Sequence, residues 1–355
     1  LLYARDAAQL TELQRRYRTS LDQHGIAAEP LETTWFENKK EHFGFHDGIT
    51  TPVIQGLGRE AEPTLCIRPG EFILGYQNEY HRYPASPLVH RALDPQGHLK
   101  LDVEGSGAAD FGRNGTYLVF RQLRQDVHGF WSFMDKAARD LDGTSERREW
   151  LAAKMVGRWP SGAPLALAPN RDDPALSDAD GFMFHHGDRK GLRCPIGAHI
   201  RRTNPRDSLD PRPGSAESLS VNKRHRILRR GRTYGHRLHK AMDPETILRE
   251  GDDGRERGLH FICLNANIAR QFEFVQSSWS NNPQFGALHN DVDPLTGERG
   301  RFRRGDGTGA TANFTIPQAV GRLRIRGLPE FVTVRGGAYF FMPGMSALRY
   351  LGNLR

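Results

Sequence analysis

Gly115-Thr116-Tyr117-Leu118-Val119-Phe120, followed by Asp126-Val127-His128-Gly129-Phe130-Trp131-Ser132-Phe133-Met134, decides the fold class of this 355-residue chain. The first run is rich in β-branched and aromatic residues and is bounded by Gly115, so it reads as a strand. Asp126 stands where a helix cap belongs, and Val127, Phe130, Met134, Ala137 and Leu141 then recur on one face of a helix. The pattern returns later. Gly258 precedes a second strand, Leu259-His260-Phe261-Ile262-Cys263-Leu264, and Ile268, Phe272, Val275 and Trp279 mark the helix after it. Two strand–helix units joined by long loops predict an α+β fold with antiparallel sheets. The length favours two domains. Gly157-Arg158-Trp159-Pro160-Ser161-Gly162-Ala163-Pro164 reads as the least structured connection, which divides the chain into 1–160 and 161–355.

Outward from these units the signals are shorter. Asp6 caps an N-terminal helix carrying Leu10, Leu13, Tyr17 and Leu21, and Leu1-Leu2-Tyr3 read as the tail of a strand already under way. The chain begins with Leu, and no charged n-region or cleavage site is visible. The expectation is a cytoplasmic protein whose preceding segment is missing, with a signal peptide in that segment as the alternative. A Gly- and Pro-rich region runs from Glu29 to Asn114. Phe331–Arg335 and Ala338–Met342 read as a hairpin around Gly336-Gly337, before a terminal helix over Ser346–Leu351.

Composition excludes several classes. Hydrophobic residues make up 37% and charged residues 26%, the balance of a globular chain rather than a disordered one. No run approaches the 18 apolar residues of a membrane span. Cys66, Cys194 and Cys263 form neither a disulfide framework nor a CxxC motif. The 50 Lys and Arg against 42 Asp and Glu give a net charge of +8, concentrated in Lys223-Arg224-His225-Arg226-Ile227-Leu228-Arg229-Arg230-Gly231-Arg232. This stretch reads as a solvated face or the wall of an anionic cofactor site. A nucleic-acid surface would interleave aromatic residues for stacking, and none stand here. GxSxG, SxxK, GxxxxGK[ST] and HExxH are absent, as is CxxCH for covalent haem attachment. The fifteen histidines leave room for a non-covalent haem, which needs only one axial side chain.

Three segments combine small residues, charge and histidine: Gly44-Phe45-His46-Asp47-Gly48, Cys194-Pro195-Ile196-Gly197-Ala198-His199-Ile200-Arg201-Arg202-Thr203-Asn204-Pro205-Arg206, and Arg229-Arg230-Gly231-Arg232-Thr233-Tyr234-Gly235. Taken singly, each also has a plain structural reading: a turn with Asp47 as local acceptor, a satisfied core histidine, and a basic surface. In this order, and continued through Phe261–Gln276 and Val334–Pro343, they resemble the dye-decolourising peroxidases over nearly the whole chain.

The resemblance implies two ferredoxin-like domains with antiparallel sheets and one non-covalent haem b per chain, held mainly in the C-terminal domain. His199 would be the axial iron ligand and Asp47 the distal acid–base residue. Arg229 would be the distal arginine, with Arg230 its adjacent competitor, and Leu259 and Phe261 would line the distal pocket. One subgroup of the family carries Asn two residues after the distal arginine; here that residue is Gly231. Asp291 and Asp293 are candidates for the partner of His199. The implied reaction reduces hydrogen peroxide and oxidises dyes, phenols or similar organic reductants through a ferryl state. Trp131, Trp159, Trp279, Tyr234 and Tyr339 are available as surface electron relays. Neither nucleic acid nor a membrane is an expected partner, and a homo-oligomer is left open. The alternative is a haem-handling protein, which would keep His199 but would have no use for Asp47 and Arg229 together.

Overall fold

The two strand–helix units meet in one sheet. The computed structural model describes residues 1–58, 62–299 and 312–354. Its main elements in chain order are α1 (Ala7–Gln23), β1 (Thr116–Gln125), α2 (Val127–Asp142), α3 (Arg148–Val156), α4 (His199–Thr203), β2 (Leu228–Arg229), β3 (Arg232–Tyr234), β4 (Gly258–Asn265), β5 (Ala312–Pro317), β6 (Arg322–Leu328), β7 (Val332–Met342) and α5 (Met345–Gly352). The sheet runs β7-β1-β4-β2, with β3 also on β4, and every pairing in it is antiparallel. The fold is therefore α+β. β1 and β4, placed on opposite sides of a boundary at residue 160 by the sequence, are direct neighbours, with Val119 opposite Cys263 and Phe120 opposite Ile262.

Local chemistry explains these elements. Asp126 accepts a hydrogen bond from Gly129 N at 2.9 Å, so α2 starts where the sequence placed its cap. Val127, Phe130, Met134 and Ala137 are all buried in the largest apolar cluster, against Leu151 and Met155 of α3 and Phe314 and Ile316 of β5. The helix after β4 is wound more widely than expected. Glu273 N donates to Ile268 O and Asn281 N to Gln276 O, the i→i−5 pattern of a π-helix, yet Phe272, Val275 and Trp279 stay buried.

Three expectations are corrected. Phe331–Met342 does not form a hairpin, because β7 is one continuous strand along β1 with a bulge between Val334 and Gly336. Gly337 marks close backbone approach, not a turn: a Cβ there would lie 2.4 Å from Phe120 O. Gly157–Pro164 is not a loose connection. Trp159 and Ala163 are buried, and the Arg158 guanidinium ties the turn to Gly162 O at 2.8 Å and Ala179 O at 2.9 Å. Leu1–Tyr3 lie in no strand.

Residues 1–33 and 34–355 form separate compact units. In the first, Asp6 caps α1 by accepting from Gln9 N at 2.8 Å, and the predicted apolar stripe contains no buried residue. Among the described residues no helix is long and apolar enough to cross a membrane.

Candidate active site

Asp47 is presented by a short folded loop over Lys39–Gly48. Asp47 N donates to Lys39 O, Glu41 N to Phe45 O and Gly44 N to Glu41 O, which closes the loop on itself. Phe43 and Phe45 anchor it from below. Phe43 stacks on Phe130 of α2 at 4.4 Å, Phe45 lies parallel to Trp131, and Trp131 Nε1 donates to Phe43 O at 3.1 Å. Gly44 has φ +96°, and a Cβ there would meet Met242 O at 2.8 Å, so the first glycine of the Gly-x-x-Asp-Gly segment is required by backbone and space alike. The Glu41 carboxylate holds the loop through Phe43 N and Phe45 N, both at 3.0 Å, and is held in turn by Gln125 Nε2 at 2.6 Å.

From the sheet, Arg229 of β2 reaches Asp47. Its NH1 donates to Asp47 Oδ1 at 3.0 Å, and Gly48 N donates to the same oxygen at 2.7 Å. Asp47 Oδ2 therefore has no donor among the described residues. Arg230, the competitor, turns its NH1 back to Arg229 O. About two-fifths of each paired side chain is exposed, 41% for Arg229 and 42% for Asp47, yet burial is the largest influence on the carboxyl. Burial acts to raise the Asp47 pKa; the Arg229 cation, the Gly48 N–H and the Arg229 hydrogen bond prevail and hold it below the usual carboxylate value. His199 contributes in the same direction, so the two segments share one electrostatic neighbourhood.

The register places Leu259 and Phe261. Arg229 lies opposite Cys263, and β4 alternates, so Leu259, Phe261 and Cys263 project to the same side of the sheet as Arg229. Leu259 and Phe261 are half-buried, and Phe261 packs on Phe272 with centroids 5.9 Å apart.

His199 opens the short helix α4, which two neighbouring arginines lock in place. Arg201 bonds Cys194 O and Asp188. Arg202, with no exposed surface, reaches Trp279 O, Asn282 O and Asp291 O. The last three contacts bind α4 to the segment that carries Asp293. His199 Nδ1 lies 2.9 and 3.1 Å from the two oxygens of Asp293. Asp293 is fully buried, which raises its pKa, but His199, the Thr296 N–H and Arg202 outweigh this and hold it well below the ordinary value. A carboxylate on Nδ1 fixes the tautomer and directs Nε2 outward as the free lone pair. Of the two sequence candidates it is therefore Asp293 that pairs with His199; Asp291 approaches Arg324 instead, at 3.4 Å.

The sequence did not single out a third group. Asp180 Oδ1 is shared by Arg158, Arg206 and the Thr50 hydroxyl. Arg226 feels Arg206, Asp180 and Arg229, so it belongs to the same cluster, and burial pushes its pKa down to about 10. Only 7% of Arg226 is exposed, and its guanidinium has no hydrogen-bond or ion-pair partner among the described residues. Nothing in the spacing of Asp180 or Arg158 announces this cluster. Of the aromatic residues named as relays, Trp131, Trp159, Trp279 and Tyr234 are buried; Tyr339 is 43% exposed, with its hydroxyl on Glu273 at 3.0 Å.

Such a site belongs to an α+β protein that sets a carboxylate–guanidinium pair near a histidine anchored by a buried carboxylate. No protein-family model matches the chain. Among curated proteins it is 34% identical to "Dye-decolorizing peroxidase msp1" of Mycetinis scorodonius, over 87% of this chain and 56% of the relative. It is 33% identical to "Multifunctional dye peroxidase DyP2" of an Amycolatopsis strain, over 88% and 61%. Among solved structures, a decolorizing peroxidase from Auricularia auricula-judae superposes with a TM-score of 0.75 at 26% identity, covering 98% of this chain and 73% of that one. An ancestral D-type dye-decolorizing peroxidase gives 0.71 at 29% identity, covering 97% and 71%. By sequence and by fold, the chain is similar to the dye-decolorizing peroxidases. It spans a little over half the length of the curated relatives it matches.

Proposed function

We propose that the chain is a haem-dependent peroxidase, reducing hydrogen peroxide and oxidising dyes, phenols or similar organic reductants. In this reading two ferredoxin-like halves meet near residue 160, and the C-terminal half holds most of one haem b. The observation that carries it is the Asp47–Arg229 pair lying within electrostatic reach of a His199 whose Nδ1 is held by Asp293.

The residues present suit a haem. No group of three or more His, Cys, Asp or Glu that could hold a bare metal ion is found among the described residues. Cys194 and Cys263 are pushed up to about 12 by burial, so neither offers a thiolate. A single imidazole with one nitrogen fixed matches a cofactor that needs one axial protein ligand. Arg226 is a buried cation without an anionic hydrogen-bond partner among the described residues, and a propionate would satisfy it. His199 Nε2 would hold the iron, and Arg226, with Arg206 beside it, would face the propionates.

When bound, the haem would supply the iron at which peroxide is reduced and the oxidising equivalents passed to the organic substrate. Asp47 Oδ2, free of donors, accepts a proton from hydrogen peroxide and returns it to the departing oxygen. Arg229 keeps its proton at working pH and stabilises the negative charge that develops as the O–O bond opens. It also keeps Asp47 ionised in mildly acidic solution. Asp293 orients the His199 ring and increases its basicity.

The test is a haem titration of the full chain, followed by absorption, beside His199→Ala and Arg226→Gln. The expected result is one haem per wild-type chain, loss of the wild-type Soret position in His199→Ala, and weaker uptake by Arg226→Gln. Failure of the wild type to take up stoichiometric haem would end this reading. Uptake without any spectral response to one equivalent of peroxide would leave a haem-handling protein in its place.

A further inference from the structure

Among the described residues, a separate cleft of about 590 Å³ is lined by Asn78, Tyr80, Arg82, Tyr83, Asn267 and Arg270, with Pro84 and Ala85 completing its wall. None of Asp47, Arg229, His199 and Asp293 lines it, and neither does any carboxylate. Its volume falls within the range of small-molecule sites.

Its polar groups are donors. Asn78 begins a tight turn, with its N donating to Arg82 O and His81 N donating to Asn78 O, both at 2.9 Å. Asn78 Oδ1 is occupied by Tyr80 N at 2.9 Å and Arg82 N at 3.2 Å, which leaves its NH2 group to face elsewhere. That residue is only 7% exposed, and its Nδ2 has no acceptor among the described residues. A buried amide with unused donors lining a cleft points to a ligand that accepts. Asn267 repeats the arrangement: its Oδ1 takes Arg270 N at 2.9 Å, and its amide donors are left over.

Charge and ring surface add to this. Arg82 has no ion-pair partner among the described residues. Arg270 is immobilised by Glu71 Oε2 at 2.6 Å and by Arg224 O, so its position is fixed in advance. Arg224 and Arg270 both lie over the Tyr80 ring, at 4.2 and 5.4 Å from its centroid. The Tyr80 ring is thus already engaged by cations, while the half-buried Tyr83 ring has no aromatic or cationic partner among the described residues and offers its surface to the cleft.

We propose that this cleft binds an aromatic anion, an arene bearing a sulfonate or carboxylate, with the anionic group on Arg82 and Asn78 and the ring against Tyr83. Cations and amide donors without a competing carboxylate select the charge, and the tyrosine selects the ring. The site stands on its own residues and holds whatever the fate of the haem reading.

The probe is 1-naphthalenesulfonate, titrated calorimetrically into the full chain beside Arg82→Gln and Tyr83→Leu. The Arg82 side chain makes no bond among the described residues, so its variant is expected to fold as the wild type does. One ligand should bind per wild-type chain, about tenfold or more weakly to Arg82→Gln, the loss typical of a charge-assisted contact. Tyr83→Leu should also weaken it, and added salt should weaken binding to the wild type more than to Arg82→Gln. Neutral 1-naphthalenemethanol and inorganic sulfate should each bind at least about tenfold more weakly than the combined ligand. Undiminished binding in both variants, or no binding to the wild type at millimolar concentration, overturns the proposal. Sulfate binding as tightly as the arene sulfonate overturns its aromatic half.

Discussion

Replacing Asp47 by Asn separates chemistry from stability, because the structure assigns the carboxylate little of the second. The change is nearly isosteric, the Gly48 N–H keeps an acceptor, and Arg229 remains in place. With about two-fifths of each side chain exposed, the Asp47–Arg229 ion pair resembles a surface pair, contributing about 0–1 kcal/mol to folding. The loop does not depend on it either, since Phe43 and Phe45 are buried against Phe130 and Trp131 and Glu41 holds two loop N–H groups. What Asn cannot do is accept a proton at Oδ2. General acid–base catalysis by a positioned carboxylate contributes about 10²–10⁴-fold, which is about 3–5 kcal/mol of barrier at roughly 1.4 kcal/mol per tenfold. The assay is stopped-flow mixing of haem-loaded Asp47→Asn with hydrogen peroxide, with thermal unfolding measured alongside. The expected outcome is an unchanged Soret band, a melting temperature within a few degrees of wild type, and a peroxide reaction slowed by at least about a hundredfold. A rate within about threefold of wild type would refute the assignment of Asp47 as the proton acceptor. A slow reaction accompanied by loss of haem or of cooperative unfolding would refute the claim that the pair carries little stability.

Three further predictions follow from the same charges. In Arg229→Gln the burial that raises the Asp47 pKa is no longer outweighed, so the acid limb of the pH–rate profile should move to higher pH; an unmoved limb would mean that Arg229 does not set the charge state of Asp47. Asp293→Asn should weaken haem binding about 10–100-fold and raise the reduction potential of the bound iron, because the imidazole loses its carboxylate; equal affinity and potential would show the contact to be structural only. Glu41 is pushed up to about 7 by burial, against the opposing bonds from Phe43 N, Gln125 and Phe45 N, while an unfolded glutamate ionises near 4.5. Its contribution to stability is thus full below about pH 4.5 and lost as pH rises towards about 7. Urea midpoints of wild type and Glu41→Gln across that window should differ in slope, the wild type falling more steeply, and parallel slopes would count against a raised Glu41.

Much of the frame could be read from local pattern, because local pattern reflects forces acting within a few residues. Asp126 as a cap and the face formed by Val127, Phe130, Met134 and Ala137 depend on nothing distant. The same logic misread Gly336-Gly337, since a glycine pair signals a turn locally, and only β1 lying alongside shows that Gly337 is needed for close approach to Phe120. The mixing of the two halves in one sheet is likewise invisible to spacing; pairing of β1 with β4 joins residues about 140 positions apart, as Val119 and Cys263 show. The roles proposed for Asp47, His199 and Arg229 come from an ordered set of motifs, which places residues in sequence but not in contact. Geometry decided between Arg229 and Arg230 and between Asp291 and Asp293. In the first pair β2 turns one side chain to the face of Phe261 while the other folds back on its neighbour's carbonyl. Asp180 carries no motif and Arg226 stands only within the basic Lys223–Arg232 run, and only the structure gathers them.

The placement of charge across the site divides labour between its two carboxylates. Asp293 is fully buried, takes N–H groups of its own segment at Leu295 and Thr296, and its segment is locked to α4 by Arg202 on Asp291 O; it is part of the packing, and moving it would move His199. Asp47 occupies the opposite condition, on a loop anchored by other side chains, and its carboxylate keeps one oxygen unengaged among the described residues. In the proposed reaction Asp47 gains and loses a proton in each cycle, and such a group cannot also be the one whose charge holds the fold, because each protonation would then cost stability. Anchoring the loop by Phe43, Phe45 and Glu41 removes that conflict. The same reasoning explains why Arg229 is shared with solvent rather than buried like Arg202. A cation held by a fully enclosed partner would pin Asp47 in the ionised form too firmly for it to carry a proton, whereas a half-exposed pair lowers the pKa and still lets the carboxyl turn over.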